Sequence, residues 1–316
     1  MSVKDVLKEV NSETGVINST SFSIDVTKAI CLPSVDDSDI TFENFDSNIK
    51  KAKAVQTTVL YIDIRHSTLL NLEHGAKALS KLYSSFVRGV IKCAACFGGK
   101  VRNIIGDRVM ILFDPKNCFA NAVNTAILLN TFSIFILNKY FKNDAIRCGI
   151  GIDYGLMLAT KTGTIKRGTE SSEYKSLVWS GTPANIASRL ADIANKRFSR
   201  SKVQLGQYYP YIDHWHWTEQ ELEEFFDSLE LTYSPPVIAQ FKPPYWNVLG
   251  FFKTLVYTTY SPIVMSKKVY DGFRISCPND RSVREKWWKP KKVNLAGYKD
   301  IVYQGSVFFN SGKELT

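Results

Sequence analysis

The sequence predicts an α+β fold in which helices pack on an antiparallel sheet, and three observations carry that prediction. "TTVLYIDI", Thr57 to Ile64, is a run of β-formers that suits a buried central strand. "HGAKALSKLYSSFVRGVIKCAACF" and "CFANAVNTAILLNTFSIFILNKYF" each carry apolar residues at helical spacing over several turns. Between them, "VRNIIGDRVMILF" reads as a tight hairpin, two apolar runs around a Gly-Asp-Arg turn. A further strand segment follows the second helix. The order strand, helix, strand, strand, helix, strand is the ferredoxin-like βαββαβ arrangement, with both helices on one face of the sheet.

The remaining elements follow in chain order. Residues 1–50 are mixed and polar, with "VKDVLKEV" as a short amphipathic helix and "SVDDSDITFENFD" as an acidic loop. They form an N-terminal segment ahead of a domain over 51–316. Gly98-Gly99 ends the first long helix. "AIRCGIGIDYGLMLATKTG" predicts a strand pair with glycines at the bend, and "TPANIASRLADIANK" a third helix with Thr182 as cap and Pro183 in its first turn. The stretch 198–254 departs from this pattern. It is rich in aromatics and proline and contains one helix, "TEQELEEFFDSLEL", with a Thr218/Glu221 capping box and an apolar stripe of Leu222, Phe225, Phe226 and Leu229. It reads as an inserted subdomain that covers a sheet edge, broadens a dimer contact or receives an activating partner. "SPIVMSKKVYDGF" and two strands, "KKVNLAGYK" and "IVYQGSVFF", close the chain.

Composition narrows the function classes. Hydrophobic residues at 45% and charged residues at 22% describe an ordinary globular protein. The net charge of +10 calls for an anionic partner, but the basic residues form no arm, and the central strands lack the aromatic-basic motifs of an RNA-recognition module. No nucleic-acid partner is expected. The start "MSVKDVLKEV" has no signal-peptide pattern, and "AILLNTFSIFIL" and "NVLGFFKTLVY" are too short and interrupted for a bilayer span, so a cytoplasmic protein with no membrane partner is expected. The six cysteines show no disulfide framework. Cys93 and Cys96 form a CxxC inside a helical pattern with no second pair to complete a zinc site, which makes them buried helix cysteines. His214 and His216 have no ligand-spaced companions and read as surface or core histidines.

The chemistry gathers on two carboxylates. Asp63 ends the first strand and Asp107 tips the hairpin; in the ferredoxin-like order these elements are neighbours in mid-sheet. Two carboxylates at adjacent strand ends can share hard divalent cations, which stabilise a nucleophilic alkoxide and a leaving pyrophosphate in phosphoryl transfer. Four blocks, in order, resemble the class III nucleotidyl cyclases: "VLYIDIRHST", "GGKVRNIIGDRVMILF", "IRCGIGIDYG" and "WSGTPANIASRL". The two closing segments fit the same pattern, and the likeness runs from Thr57 to Phe309 apart from the insertion.

That resemblance implies roles residue by residue. Asp63, the Ile64 carbonyl and Asp107 would bind two divalent ions per active site, Mn²⁺ or Mg²⁺. Arg147 would contact phosphate, and Asn185 and Arg189, four apart on one helix face, would act on the transition state. Where the family has Gly-Phe after its first metal motif, this chain has His66-Ser67, so His66, Ser67 and Thr68 are expected at the phosphate turn. The closing strand motif has Tyr298 after Gly297 where a lysine is usual, leaving Lys299 as the triphosphate candidate. The resemblance also implies a homodimer whose active sites are shared between protomers. The base-reading positions carry Asn103 and Val178, where adenylate cyclases of the family have lysine and aspartate, and guanylate cyclases a glutamate at the first. Neither purine finds its usual partner. This pattern resembles the bacterial pyrimidine (Pycsar) cyclases of anti-phage defence, which implies CTP or UTP as substrate. The Asn103 amide, both donor and acceptor, suits either base; CTP is favoured narrowly.

Overall fold

The structure is a computed structural model that describes residues 2–43, 45, 48–65, 67, 75–141, 146–163, 175–232, 238–243, 245 and 247–315. The chain forms two compact units, one of residues 1–196 and 260–316, the other of 197–259.

The larger unit is built on a nine-stranded sheet, mostly antiparallel. Its central strands are β2 (Ile49–Ile64), β3 (Gly99–Ile105), β4 (Arg108–Phe113) and β5 (Cys148–Gly163), in the spatial order β5-β2-β4-β3. This is the ferredoxin-like order. On one face, Leu60, Ile62 and Ile64 of β2 pack against Leu82, Phe86 and Val90 of α2 (Ala76–Cys96) and against α3 (Cys118–Tyr140). Strand periodicity sends the alternate residues Val55 and Val59 to the other face, onto Ala184 and Ala187 of α4 (Thr182–Ile193). Asp63 shares the parity of Val55 and Val59, so the first metal candidate lies on the α4 face.

Several expectations change in detail. The helix α3 is continuous over 23 residues, with a π-helical stretch at Phe132–Leu137, and is long and apolar enough to cross a membrane where its short windows are not. Just over half of its most apolar stretch is buried, and Ala122, Val123, Ala126 and Leu129 are core residues. The glycine-rich segment is one long strand, not a pair with a bend. Gly149, Gly151 and Gly155 of β5 lie under Arg65, α4 and Pro183 respectively, where side chains would collide. The partner strand comes later, as β6 (Lys175–Ser180). Gly181, rather than Thr182, is the N-cap of α4.

The N-terminal segment joins the same sheet. An exposed helix, α1 (Val3–Ile17), precedes β1 (Ser23–Lys28), which pairs in parallel with Ile49–Ala54 of β2. At the other edge, β12 (Ile263–Ser266) runs parallel to β5, and β14 (Ile301–Gly305) and β13 (Lys289–Lys292) follow it; α6 (Lys267–Ser276) packs on the α2/α3 side. The last predicted strand pair is thus shorter than its sequence segments, and Leu295–Tyr298 forms a turn between its strands.

The smaller unit holds a three-stranded antiparallel sheet of β7 (Arg197–Tyr209), β8 (His214–Glu221) and β11 (Val248–Thr259), with a hairpin of β9 (Leu229–Thr232) and β10 (Ile238–Phe241). Pairing of Arg197 with Thr259 sets its bounds wider than the compositional break at 198–254. The predicted helix shrinks to α5 (Leu222–Asp227), because Thr218 to Glu221 belong to β8; the capping box is Glu221 with Glu224. Phe225 is its buried anchor, while Phe226 is exposed. Both histidines of β8 are exposed, as is Cys96, whereas Cys93 is partly buried.

Candidate active site

Two backbone features place the carboxylates. β2 pairs with β5 on one side and β4 on the other, so Asp63 stands at the end of a strand held from both edges, level with Gly149. The β3–β4 hairpin turns through Gly106, whose φ of +61° suits the first central position of a two-residue type II′ turn and leaves Asp107 at the tip. Asp107 comes within hydrogen-bonding reach of Asp63. Burial and the neighbouring Asp63 charge, in that order, raise the Asp107 pKa, against a hydrogen bond from Ser67 that lowers it. Asp107 Oδ2 is buried with no hydrogen-bond partner. That Asp107 oxygen therefore lacks a donor, and the hard oxygens of the pair fit a divalent cation. No group of three or more potential ligands among the described residues encloses an ion. A cation held here would complete its shell from backbone, water or substrate phosphate, as magnesium commonly does.

The other predicted residues divide around this pair. Ile64 ends β2 with its side chain buried. Ser67 is beside Asp107; His66 and Thr68 lie outside the described residues. Arg147 is exposed, and its carbonyl accepts from the Arg65 N–H at 2.7 Å, next to the Asp63 strand end. Asn185 and Arg189 lie on the exposed side of α4, and no described hydrogen bond or ion pair joins them to either aspartate. Lys299 is exposed before β14. Tyr303 is level with Met265, Ile152 and Leu60 across the sheet, so Lys299 stands about seven residues, roughly 20 Å, down the strands from Asp63 of its own chain.

Asn103 and Val178 are both exposed, on β3 and β6. A β-bulge precedes Asn103: Val101 pairs with Ile111 and Asn103 with Met110, which leaves Arg102 as the extra residue. Arg102 lies over the Trp179 ring, 5.5 Å from its centroid, and donates to the Pro33 carbonyl at 3.1 Å. The immediate neighbours of the two base-reading candidates thus touch each other.

Two arginines were missed by the sequence reading. Arg108 donates from Nη2 to Asp63 Oδ2 at 2.7 Å and to Asp192, and from Nη1 to Ser188 Oγ at 2.9 Å. Arg65 has a side chain only 2% exposed; its guanidinium lies 3.8 Å from Asp63, fills the space over Gly149 and donates to the carbonyl of Ala191 in the last turn of α4. Burial lowers the Arg65 pKa, and the charge of Asp63, with a lesser one from Asp192, offsets part of that cost. The signal for Asp192 and Ser188 was present: residues 185, 188, 189 and 192 form one stripe along a helix.

No family model matches the chain. Curated proteins do. It is 28% identical over 184 residues to a uridylate cyclase of Gulbenkiania mobilis, covering 54% of this chain and 66% of that protein. It is 29% identical over 104 residues to a cytidylate cyclase of Staphylococcus aureus, covering 30% and 25%. The chain is thus similar to curated uridylate and cytidylate cyclases. The matched regions span just under two thirds of the first of these cyclases and a quarter of the second. Among solved structures, the adenylyl cyclase CyaB of P. aeruginosa is similar with a TM-score of 0.48 at 16% identity, over 80% of this chain and 94% of that one. The guanylyl cyclase Cya2 gives the same score at 13% identity, over 81% and 94%.

Proposed function

We propose that this chain is a nucleotidyl cyclase that converts a pyrimidine nucleoside triphosphate, CTP or UTP, to its 3′,5′-cyclic monophosphate and pyrophosphate. The observation that carries the reading is the Asp63–Asp107 pair, two adjoining carboxylates with one buried oxygen lacking a donor. Divalent cations, Mn²⁺ or Mg²⁺, bound there would supply Lewis-acid activation of the ribose 3′-hydroxyl and charge neutralisation at the phosphates. Asp63 and Asp107 hold the reacting end of the nucleotide. Arg147, exposed beside them, meets phosphate charge.

Asn185 and Arg189, exposed on α4, complete the site of a second copy, with Lys299 beside them on the triphosphate. In that dimer the Asn185 amide orients the ribose, and the Arg189 guanidinium stabilises charge on the α-phosphate as the leaving oxygen departs. Asn103 and Val178 carry no charge to select a purine edge, and names of both uridylate and cytidylate cyclases among the relatives support a pyrimidine. A cyclic pyrimidine nucleotide from a cytoplasmic enzyme would serve as a messenger, in keeping with a role in anti-phage defence.

The test is turnover of each of the four labelled nucleoside triphosphates with Mn²⁺, the products resolved by chromatography. Cyclic CMP or cyclic UMP as main product supports the reading. Cyclic AMP or cyclic GMP overturns the base assignment, and no cyclic product from any substrate, in protein that binds nucleotide, identifies a silent domain.

A further inference from the structure

Arg108 follows one metal-site carboxylate in sequence, yet its side chain serves the other. Its guanidinium spans the end of β2 and the outer stripe of α4, on Asp63 at one side and on Asp192 and Ser188 at the other. Burial works against the charge of this guanidinium, but its bonds to Asp63 and Asp192 more than offset that cost. Asp63 is only 13% exposed at its side chain, and Arg108 satisfies its Oδ2. Arg65, the other cation near Asp63 among the described residues, is committed to the Ala191 carbonyl. Asp107 receives no bond from either arginine among the described contacts.

We propose that Arg108 is an internal counter-cation that holds Asp63 until a divalent ion takes its place, and then withdraws onto Asp192 and Ser188. The proposal rests on the reading of Asp63 as a cation ligand. The physical basis is competition for one carboxylate. A charge-assisted hydrogen bond on Asp63 must be given up before its oxygen can ligate an ion, and a guanidinium beside a divalent cation is repelled. Asp192 makes the exchange feasible, because Arg108 keeps one carboxylate when it releases the other and no buried charge is left unpaired. Arg108 is then a positioning residue that sets the cation concentration at which the site fills. It also ties that event to α4, the helix carrying Asn185 and Arg189.

The experiment is Mn²⁺ binding to the full chain without nucleotide, measured by the electron paramagnetic resonance signal of free Mn²⁺. Arg108→Met keeps the aliphatic stem and removes the charge; it should bind Mn²⁺ about tenfold tighter or more, the worth of one charge-assisted hydrogen bond. Asp192→Asn should act in the opposite direction and weaken binding by about threefold or more, since Arg108 then holds Asp63 undivided. Opposite signs separate competition from a general loosening of the site. Unchanged or weaker binding in Arg108→Met overturns the proposal, as does tighter binding in both variants. If Arg108→Met does not fold, Asp192→Asn decides alone: weaker binding supports the exchange and unchanged binding ends it. Asp63→Asn separates the two levels. Binding that survives it refutes Asp63 as a ligand, whereas binding lost in Asp63→Asn but unaltered in Arg108→Met refutes only the counter-cation.

Discussion

A Cβ placed on Gly151 would stand 2.2 Å from the carbonyl oxygen of Ala187, so α4 crosses β5 with its backbone nearly touching the strand. The same Cβ would meet the Ala191 amide nitrogen at 2.2 Å, and neither obstacle is a side chain that can turn aside. Gly151→Ala should therefore lift α4 off the sheet and cost about 2 kcal/mol or more of stability, at the upper end of overpacking effects. Chemical denaturation of the variant checks this. The control Gly250→Ala, where an added Cβ meets nothing within 4 Å, should unfold close to wild type.

The Asp107 carboxyl gives a signed pH effect in metal-free protein. Burial and the Asp63 charge raise its pKa in the folded state. A carboxyl with a raised folded pKa favours folding below its unfolded value, and that contribution is lost as pH rises through the folded value. At neutral pH Asp107 is thus a destabilising charge, and Asp107→Asn should melt higher than wild type in chelator. The advantage should shrink as pH falls through the carboxylate range. A variant that melts lower at neutral pH would contradict the assignment.

Catalysis should need both carboxylates. Asp63→Ala or Asp107→Ala should each lower turnover by at least about 10²-fold, because each takes a ligand from the charge that stabilises phosphoryl transfer. Circular dichroism should remain that of a folded protein, since both residues sit at strand ends. Full activity in either variant with a normal Mn²⁺ response would exclude the metal role.

Shared sites make a quantitative prediction. Asp63→Ala and Arg189→Ala proteins should each be inactive alone, and their co-refolded mixture should recover about a quarter of wild-type activity. Random pairing makes half of the dimers mixed, each with one intact site of two. A mixture that stays inactive while subunits exchange would place both residues in one half-site.

Much of this was legible in the chain. The central strand and the two long helices could be read because periodicity and length agree in "TTVLYIDI" and in both helical segments. Asp63 and Asp107 stood out because one ends an apolar strand and the other tips a hairpin. The glycines of β5 were misread as a bend because a strand crossed closely by a helix backbone and a strand that turns both call for missing side chains. Thr218 satisfied the spacing of a capping box, but pairing with Leu205 drew it into β8. Arg108 was invisible for a different reason: its partners Asp63 and Asp192 lie 45 and 84 residues away, and only the sheet and α4 bring them together.

The pairing of β1 with β2 has a consequence for where the chain can be cut. From Ile49 to Ala52, β2 has β1 as its partner among the described strands, because β5 joins only at Lys53. A polypeptide begun at residue 51 would present bare amide and carbonyl groups beside Ala52 and Val55, which are otherwise core residues. Such an edge is a template for intermolecular strand addition. The polar leading segment is thus a seal on the nine-stranded sheet, and trimming it exchanges a closed margin for an adhesive one.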